Sequence, residues 1–82
     1  MSEETALRAR ARWLCRRGMK ELDVLLTGFM DAHYDAMTPQ ERARFRSVLE
    51  LPDPDLWTCL VSGHSTGDPA LDHVIARIRD RH

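Results

Sequence analysis

Apolar residues recur along this chain at intervals of three and four positions. Leu7, Ala11 and Leu14 form one such stripe over about residues 3–16, and a longer stripe runs over about residues 20–35. Positions i, i+3, i+4 and i+7 lie on one face of an α-helix, so each stripe predicts an amphipathic helix. No stretch shows the alternation of apolar and polar residues, rich in β-branched side chains, that is typical of a strand. The pattern therefore predicts an all-α protein.

Three further helices are indicated by their first residues. Each start combines a side chain that can cap a helix with a proline suited to the first helical position, at Thr38–Pro39, Asp53–Pro54 and Asp68–Pro69. Glu41 adds a capping box to the first of these starts. The connections between the five segments are short, which favours tight packing of neighbouring helices. We therefore predict a compact five-helix bundle that forms a single domain over residues 1–82.

The composition is that of a small globular protein. The chain has 82 residues, of which 43% are hydrophobic and 30% charged, enough for one core but not for a deep, enclosed site. No apolar run approaches the roughly 20 residues that span a bilayer, and the first residues lack the apolar block of a secretory signal. We therefore expect a cytoplasmic protein that does not insert into a membrane. In that compartment Cys15 and Cys59 are expected to be free thiols rather than a disulfide.

Charge is distributed unevenly along the chain. Residues 1–20 contain six Lys and Arg residues against two Glu, whereas residues 21–82 contain six Arg against eleven Asp and Glu. Arg8, Arg12 and Arg16 form a basic stripe at helical spacing. This stripe leaves open a second hypothesis, a small basic-helix module that binds nucleic acid or acts as a regulatory adaptor. The acidic balance after residue 20 argues against nucleic acid as the main partner.

No constellation in the sequence indicates catalysis or metal binding. His64, Ser65 and Asp68 resemble a triad only in composition, because a Gly-Ser-Thr loop supplies neither a fixed nucleophile nor an oxyanion hole. Asp53 and Asp55 flank a proline, and their simplest role is to cap the fourth helix. The two cysteines lack the spacing of a zinc site, and there is no glycine-rich phosphate loop. We therefore expect neither an enzyme nor a bound cofactor or metal.

The most distinctive segment is Arg16-Arg17-Gly18-Met19-Lys20-Glu21-Leu22-Asp23, between the first two helices. Gly18 is expected to end or bend the first helix, and without a Cβ it lets another backbone approach closely. Charged groups of both signs beside it make a compact polar surface. Two interpretations remain open: a docking surface for another protein, or a solvated junction in which Arg17 and Glu21 form an exposed ion pair worth about 0.3 kcal/mol.

The run from Trp13 to Asp23, followed later by Asp53-Pro54-Asp55-Leu56, resembles the small FAD assembly factors of succinate dehydrogenase. The RGxxE signature of that family stands here as Arg17, Gly18 and Glu21. The resemblance covers nearly the whole chain and implies a five-helix fold. It also implies binding to the flavoprotein subunit of succinate dehydrogenase, with related fumarate reductase subunits as further clients, and promotion of covalent FAD attachment. In such a family the client's own histidine forms the flavin bond, so the chain is a maturation factor and FAD resides in the client.

The resemblance also implies which residues meet the client. Gly18 permits close approach, while Arg17 and Glu21 make charged hydrogen bonds to the client. The second-rank contacts are Arg16, Asp23, Asp53 and Asp55. Trp13 is either an aromatic anchor or a core residue. A bundle of this size can act as a monomer, and that is the state we expect.

Overall fold

Helices account for most of residues 2–80, the part of the chain that this computed structural model describes. The five α-helices are α1 (Glu3–Leu14), α2 (Lys20–His33), α3 (Pro39–Leu49), α4 (Asp53–Leu60) and α5 (Pro69–Arg79), with a turn of 3₁₀ helix (Tyr34–Ala36) after α2. The same residues contain no strand. The prediction of an all-α, five-helix protein is therefore confirmed.

Two of the predicted helix starts have the expected geometry. At α3 the Glu41 backbone N–H donates to the Thr38 hydroxyl at 3.1 Å, and the Thr38 N–H donates back to Glu41 Oε1 at 2.9 Å, which completes a capping box. At α5 the Ala70 N–H donates to Asp68 Oδ1 at 2.9 Å. Each cap satisfies backbone donors that have no partner inside the helix.

The predicted cap of α4 is wrong. Pro52 is the N-cap, Asp53 is the first helical residue, and neither side chain makes a capping hydrogen bond. The Asp53 carboxylate instead lies 3.2 Å from Nη1 of Arg17. A local pattern predicts only the neighbours of Asp53 in sequence, whereas its actual partner comes from another part of the fold.

The first helix is shorter than predicted and does not reach Gly18. It ends at Leu14, and the N–H of Cys15 is shared between the carbonyls of residues 11 and 12. The N–H of Arg17 donates to Asp23 Oδ2 instead of to a carbonyl of the preceding turn, so the helical ladder is interrupted there. The prediction that Gly18 ends or bends this helix is wrong, since Gly18 lies in the connection after it.

The core contains apolar side chains from all five helices. Its centre is aromatic, with the Phe45 ring centroid 5.6 Å from that of Phe29 and 6.0 Å from that of Tyr34. Cys15 and Cys59 are both buried in this core and both are free, as predicted. The radius of gyration is 11.9 Å, close to the roughly 12 Å expected for a compact chain of this length. None of the helices within residues 2–80 combines the length and the apolarity that a membrane crossing requires.

Candidate functional site

The connection between α1 and α2, residues 15–19, is held in place by the side chain of Arg17. Nη1 donates to the Leu51 carbonyl at 3.1 Å and to Asp53 Oδ1 at 3.2 Å, and Nη2 donates to the Leu49 carbonyl. Only 12% of the Arg17 side chain is exposed. One guanidinium therefore ties the first connection of the chain to the connection between α3 and α4.

The electrostatics of the α3–α4 connection suit a buried cation. The last carbonyls of α3 have no partner inside that helix, and the carboxyl end of a helix carries partial negative charge. Asp53 adds a full negative charge beside them. Arg17 satisfies all three acceptors at once, in the fork geometry that only a guanidinium provides.

A second contact fixes the same connection from the side of α2. The backbone N–H of Arg17 donates to Asp23 Oδ2 at 3.1 Å, and Asp23 lies partly buried in the first turn of α2. Arg17, Asp23 and Asp53 were all expected to face a partner. The structure joins these three by hydrogen bonds that hold residues 15–19 in place.

Gly18 and Glu21 lie on the surface, outside the hydrogen-bonded group formed by Arg17, Asp23 and Asp53. Glu21 is exposed in the first turn of α2, and its carboxylate has no hydrogen-bond or ion-pair partner among residues 2–80. The exposed pair between Arg17 and Glu21, the alternative for a solvated junction, is not formed because Arg17 turns inward to Asp53. The Glu21 side chain is therefore exposed and unpaired within the described part of the chain.

The fold of the isolated protein does not require a glycine at position 18. Its φ angle is not positive, and a Cβ built on it would have Asp53 Oδ2 as its nearest neighbour, at 3.9 Å, an ordinary van der Waals distance. Another residue could therefore stand here without strain in the isolated protein. The described part of the chain therefore gives no steric reason for a glycine at this exposed position.

The other expected contacts are also placed by the structure. Trp13 is 67% exposed, which settles its two interpretations against core packing, and it lines a shallow groove with Arg16. The side chains of Arg16 and Asp55 are exposed and have no polar partner in the described part of the chain. Trp13 and Arg16 thus lie on the same side of the RGxxE signature.

The basic stripe on α1 is largely neutralised by α2 and the 3₁₀ turn. Arg8 lies 2.9 Å from Asp35, and Arg12 is paired with Asp31. The hydrogen bond from Arg8 also lowers the pKa of Asp35 below its ordinary value. Two of the three stripe arginines already have acidic partners within the chain, which weakens the hypothesis of a nucleic-acid-binding helix.

The loop after α4 does not have the geometry of a catalytic site. The Ser65 hydroxyl donates to Asp72 rather than to a histidine, and Thr66 donates to the same carboxylate through its N–H and its hydroxyl. These hydrogen bonds, that of Ser65 first, lower the pKa of Asp72. No local pattern in the sequence predicts the role of Asp72, which accepts these hydrogen bonds from residues six and seven positions earlier.

Neither the cysteines nor the acidic residues add a chemical site. Burial raises the pKa of Cys15 to about 12 and also raises the pKa of Cys59, so neither is poised as a thiolate nucleophile. Within residues 2–80, no group of three or more His, Cys, Asp and Glu side chains could hold a metal ion.

These features together define a class of protein. The molecule is a small helical protein with an exposed glycine, an exposed tryptophan and a carboxylate that has no partner among residues 2–80, all around an internally hydrogen-bonded connection. The sequence matches, over residues 9–82, the model of a family described as flavinator of succinate dehydrogenase. The chain therefore belongs to this family.

Individual relatives support the same assignment. The chain is 40% identical over 83 aligned positions to the FAD assembly factor SdhE of Vibrio vulnificus, covering 92% of this chain and 96% of the relative. It is 38% identical over 73 residues to the SdhE of Shewanella oneidensis, with 89% of each covered. It is also 48% identical over 61 residues to that of Aliivibrio fischeri, covering 74% and 70%. Proteins of such a family are maturation factors rather than enzymes.

Proposed function

We propose that this protein binds the flavoprotein subunit of succinate dehydrogenase and promotes the covalent attachment of FAD to it. Family membership supports the FAD-assembly role. The observation that carries the contact is the exposure of Gly18 and Glu21, which have no side-chain partner among residues 2–80 and lie beside a connection that Arg17 ties to the rest of the fold. Pre-ordered contact groups lose little freedom on binding, so more of their interaction energy appears as affinity.

The proposed mechanism is a shift of the client's conformational population. A protein that binds one conformation of the client more tightly raises the share of that conformation, and each tenfold difference in affinity is worth about 1.4 kcal/mol. The client's own histidine then forms the flavin bond in the conformation so favoured. This chain supplies no reacting group, and FAD is assigned to the client because the sequence has no glycine-rich phosphate-binding loop.

Each contact residue has a chemical complement on the client. Glu21 pairs with a basic group, Arg16 with an acidic group, and Gly18 admits a close backbone. Asp55 adds a second exposed carboxylate in the first turn of α4. Related fumarate reductase subunits are further clients in this proposal, and the protein acts as a cytoplasmic monomer.

Covalent flavin on the client is the direct test. Denatured extracts of the host, with and without this gene, are separated on a gel, and flavin fluorescence in the client band is normalised to the amount of client. Fluorescence should fall on deletion and return with the wild type and with Glu50→Ala, which removes an exposed carboxylate from the end of α3. It should not return with Glu21→Ala. An unchanged band after deletion would contradict the proposed function.

A further inference from the structure

An apolar groove of about 700 Å³ opens beside Glu21, where α2 faces the end of α4 and the end of α5. Its apolar lining consists of Val24, Leu25, Leu60 and Val61. Its charged lining consists of Lys20, Glu21, Arg79 and Asp80. Glu21 also lines a neighbouring shallow groove with Met19 and Trp57, so the two surfaces are continuous.

The large apolar side chains that are exposed lie near the RGxxE signature. The large apolar side chains that are exposed within residues 2–80 are Trp13, Met19, Val24 and Val61. Each of them lines a groove that also contains a residue from the segment 16–21. Val24 and Val61 are 60% and 44% exposed. Grouped apolar side chains with a charged rim are typical of a surface that binds another protein.

The size of a protein interface requires more than the motif. A stable interface covers about 800 Å² on each partner and about 20–30 residues, and this area is roughly a sixth of the 5071 Å² surface of the chain. The exposed residues of segment 16–21 are too few to supply it. The groove is the adjoining apolar surface through which the contact can extend, because Glu21 belongs to both.

The rim of the groove indicates the chemistry of its occupant. Lys20 and Arg79 are basic, Glu21 and Asp80 are acidic, and none of the four has an ion-pair partner in the described part of the chain. A complementary segment therefore carries apolar side chains for the two valines and charges of both signs beside them.

We propose that this groove receives a segment of the flavoprotein client with apolar side chains flanked by charged residues of both signs. The inference rests on the proposed function and extends the interface from Glu21 across α2 to Val61. The apolar contact supplies affinity at the centre, where buried side chains contribute most, and the charged rim sets orientation.

The test measures binding of the purified apo-flavoprotein subunit of succinate dehydrogenase to variants of this chain. Val24→Lys and Val61→Lys place a charge in the groove at exposed positions, and Val24→Ile keeps it apolar. Ala43→Lys adds the same charge at an exposed position of α3 outside the groove. Circular dichroism confirms that each variant is folded. We expect binding to weaken at least about tenfold with either groove lysine, and to stay near the wild-type value with Val24→Ile and Ala43→Lys.

The outcomes separate this inference from the proposed function. Wild-type binding by both groove lysines, together with loss of binding by Glu21→Ala, overturns the groove as a contact and leaves the proposed function intact. Wild-type binding by Glu21→Ala as well overturns both the groove and Glu21 as contacts, whereas no binding by the wild-type protein contradicts the proposed function itself. Sedimentation equilibrium gives a third outcome: a wild-type dimer that Val24→Lys converts to monomer makes a second copy of this chain the occupant and overturns the proposal.

Discussion

Arg17 shows how a residue's role depends on where its side chain points. The sequence predicted it as a contact because it belongs to the RGxxE signature, but its guanidinium donates to Leu49, Leu51 and Asp53 inside the molecule. No local pattern predicts these acceptors, which lie more than thirty positions further along the chain. Glu21, four positions away, was predicted as a contact and is exposed.

Substitution of Arg17 should therefore reduce stability. Arg17→Ala leaves Asp53 without its partner and two carbonyls without a donor, so we expect a loss of about 2–4 kcal/mol in the free energy of unfolding. Arg17→Lys should recover only part of this loss, because an ammonium lacks the guanidinium fork. Urea denaturation measures both. Arg16→Ala, at the exposed neighbour, should change stability by less than about 0.5 kcal/mol. A fully stable Arg17→Ala that fails only in client binding would make Arg17 a contact residue.

The two cysteines should be unreactive in the native protein. Cys15 is fully buried against Met30, its Sγ lies 3.7 Å from the methionine sulfur, and burial raises its pKa to about 12. Cys59 is buried as well, with a raised pKa. At pH 8 a disulfide reagent such as DTNB should therefore react slowly with both thiols and rapidly once urea unfolds the chain. Rapid stoichiometric labelling of the native protein would contradict this burial.

At the scale of the helices, the sequence predicted the elements better than their ends. The starts of α3 and α5 were predicted because their capping partners lie within three residues along the chain. The predicted end of α1 and the predicted start of α4 are wrong, because the carboxylates of Asp23 and Asp53 accept hydrogen bonds from Arg17. The groove beside Glu21 was missed too. Val24 lies off the apolar stripe of α2, and Val61, predicted on the apolar side of α4, is 44% exposed, so only folding brings the two together.

Two glycines at element boundaries should respond differently to the same substitution. Gly18→Ala should leave stability unchanged or raise it by up to about 1 kcal/mol, because its φ is not positive and its Cβ meets nothing closer than 3.9 Å. Gly63→Ala should cost about 1–2 kcal/mol, since its φ is +77° and a Cβ would lie 3.0 Å from Arg79. Thermal unfolding measures both. Equal losses in the two variants would contradict the local geometry described here.

For the whole molecule, acid should weaken the fold. Hydrogen bonds lower the folded-state pKa of Asp35, Glu41 and Asp72 below the ordinary 3.8 for Asp and 4.5 for Glu. The unfolded chain then binds protons at a higher pH than the native chain. The contribution of these three carboxylates to the free energy of unfolding is fully present above pH 4.5. It is lost as the pH drops through the ordinary carboxyl range toward the lowered pKa values.

The midpoint temperature of thermal unfolding, measured between pH 7 and pH 3, tests this dependence of stability on pH. The wild-type midpoint should fall in acid, and Asp72→Asn should show a smaller fall because it removes one of the three contributing carboxylates. A midpoint that rises on acidification would contradict the assignment of these hydrogen bonds.

At the scale of the whole molecule, the features that carry the proposed function lie close together. The internal clamp of Arg17, the exposed Gly18 and Glu21, and the adjoining groove all lie around the connection between α1 and α2. The sequence predicted the location of this surface through the RGxxE signature. It could not predict which motif residues face outward, because that division depends on contacts between distant parts of the chain.

The most direct measurement is the rate of covalent flavin attachment to purified apo-flavoprotein in the presence of FAD. Wild-type protein and Glu50→Ala should both accelerate the appearance of flavin fluorescence in the denatured client. Glu21→Ala, folded by circular dichroism, should give the rate of the client alone. If Glu21→Ala accelerates the reaction as well as the wild type does, the exposed carboxylate beside Gly18 is not the contact that drives flavin attachment.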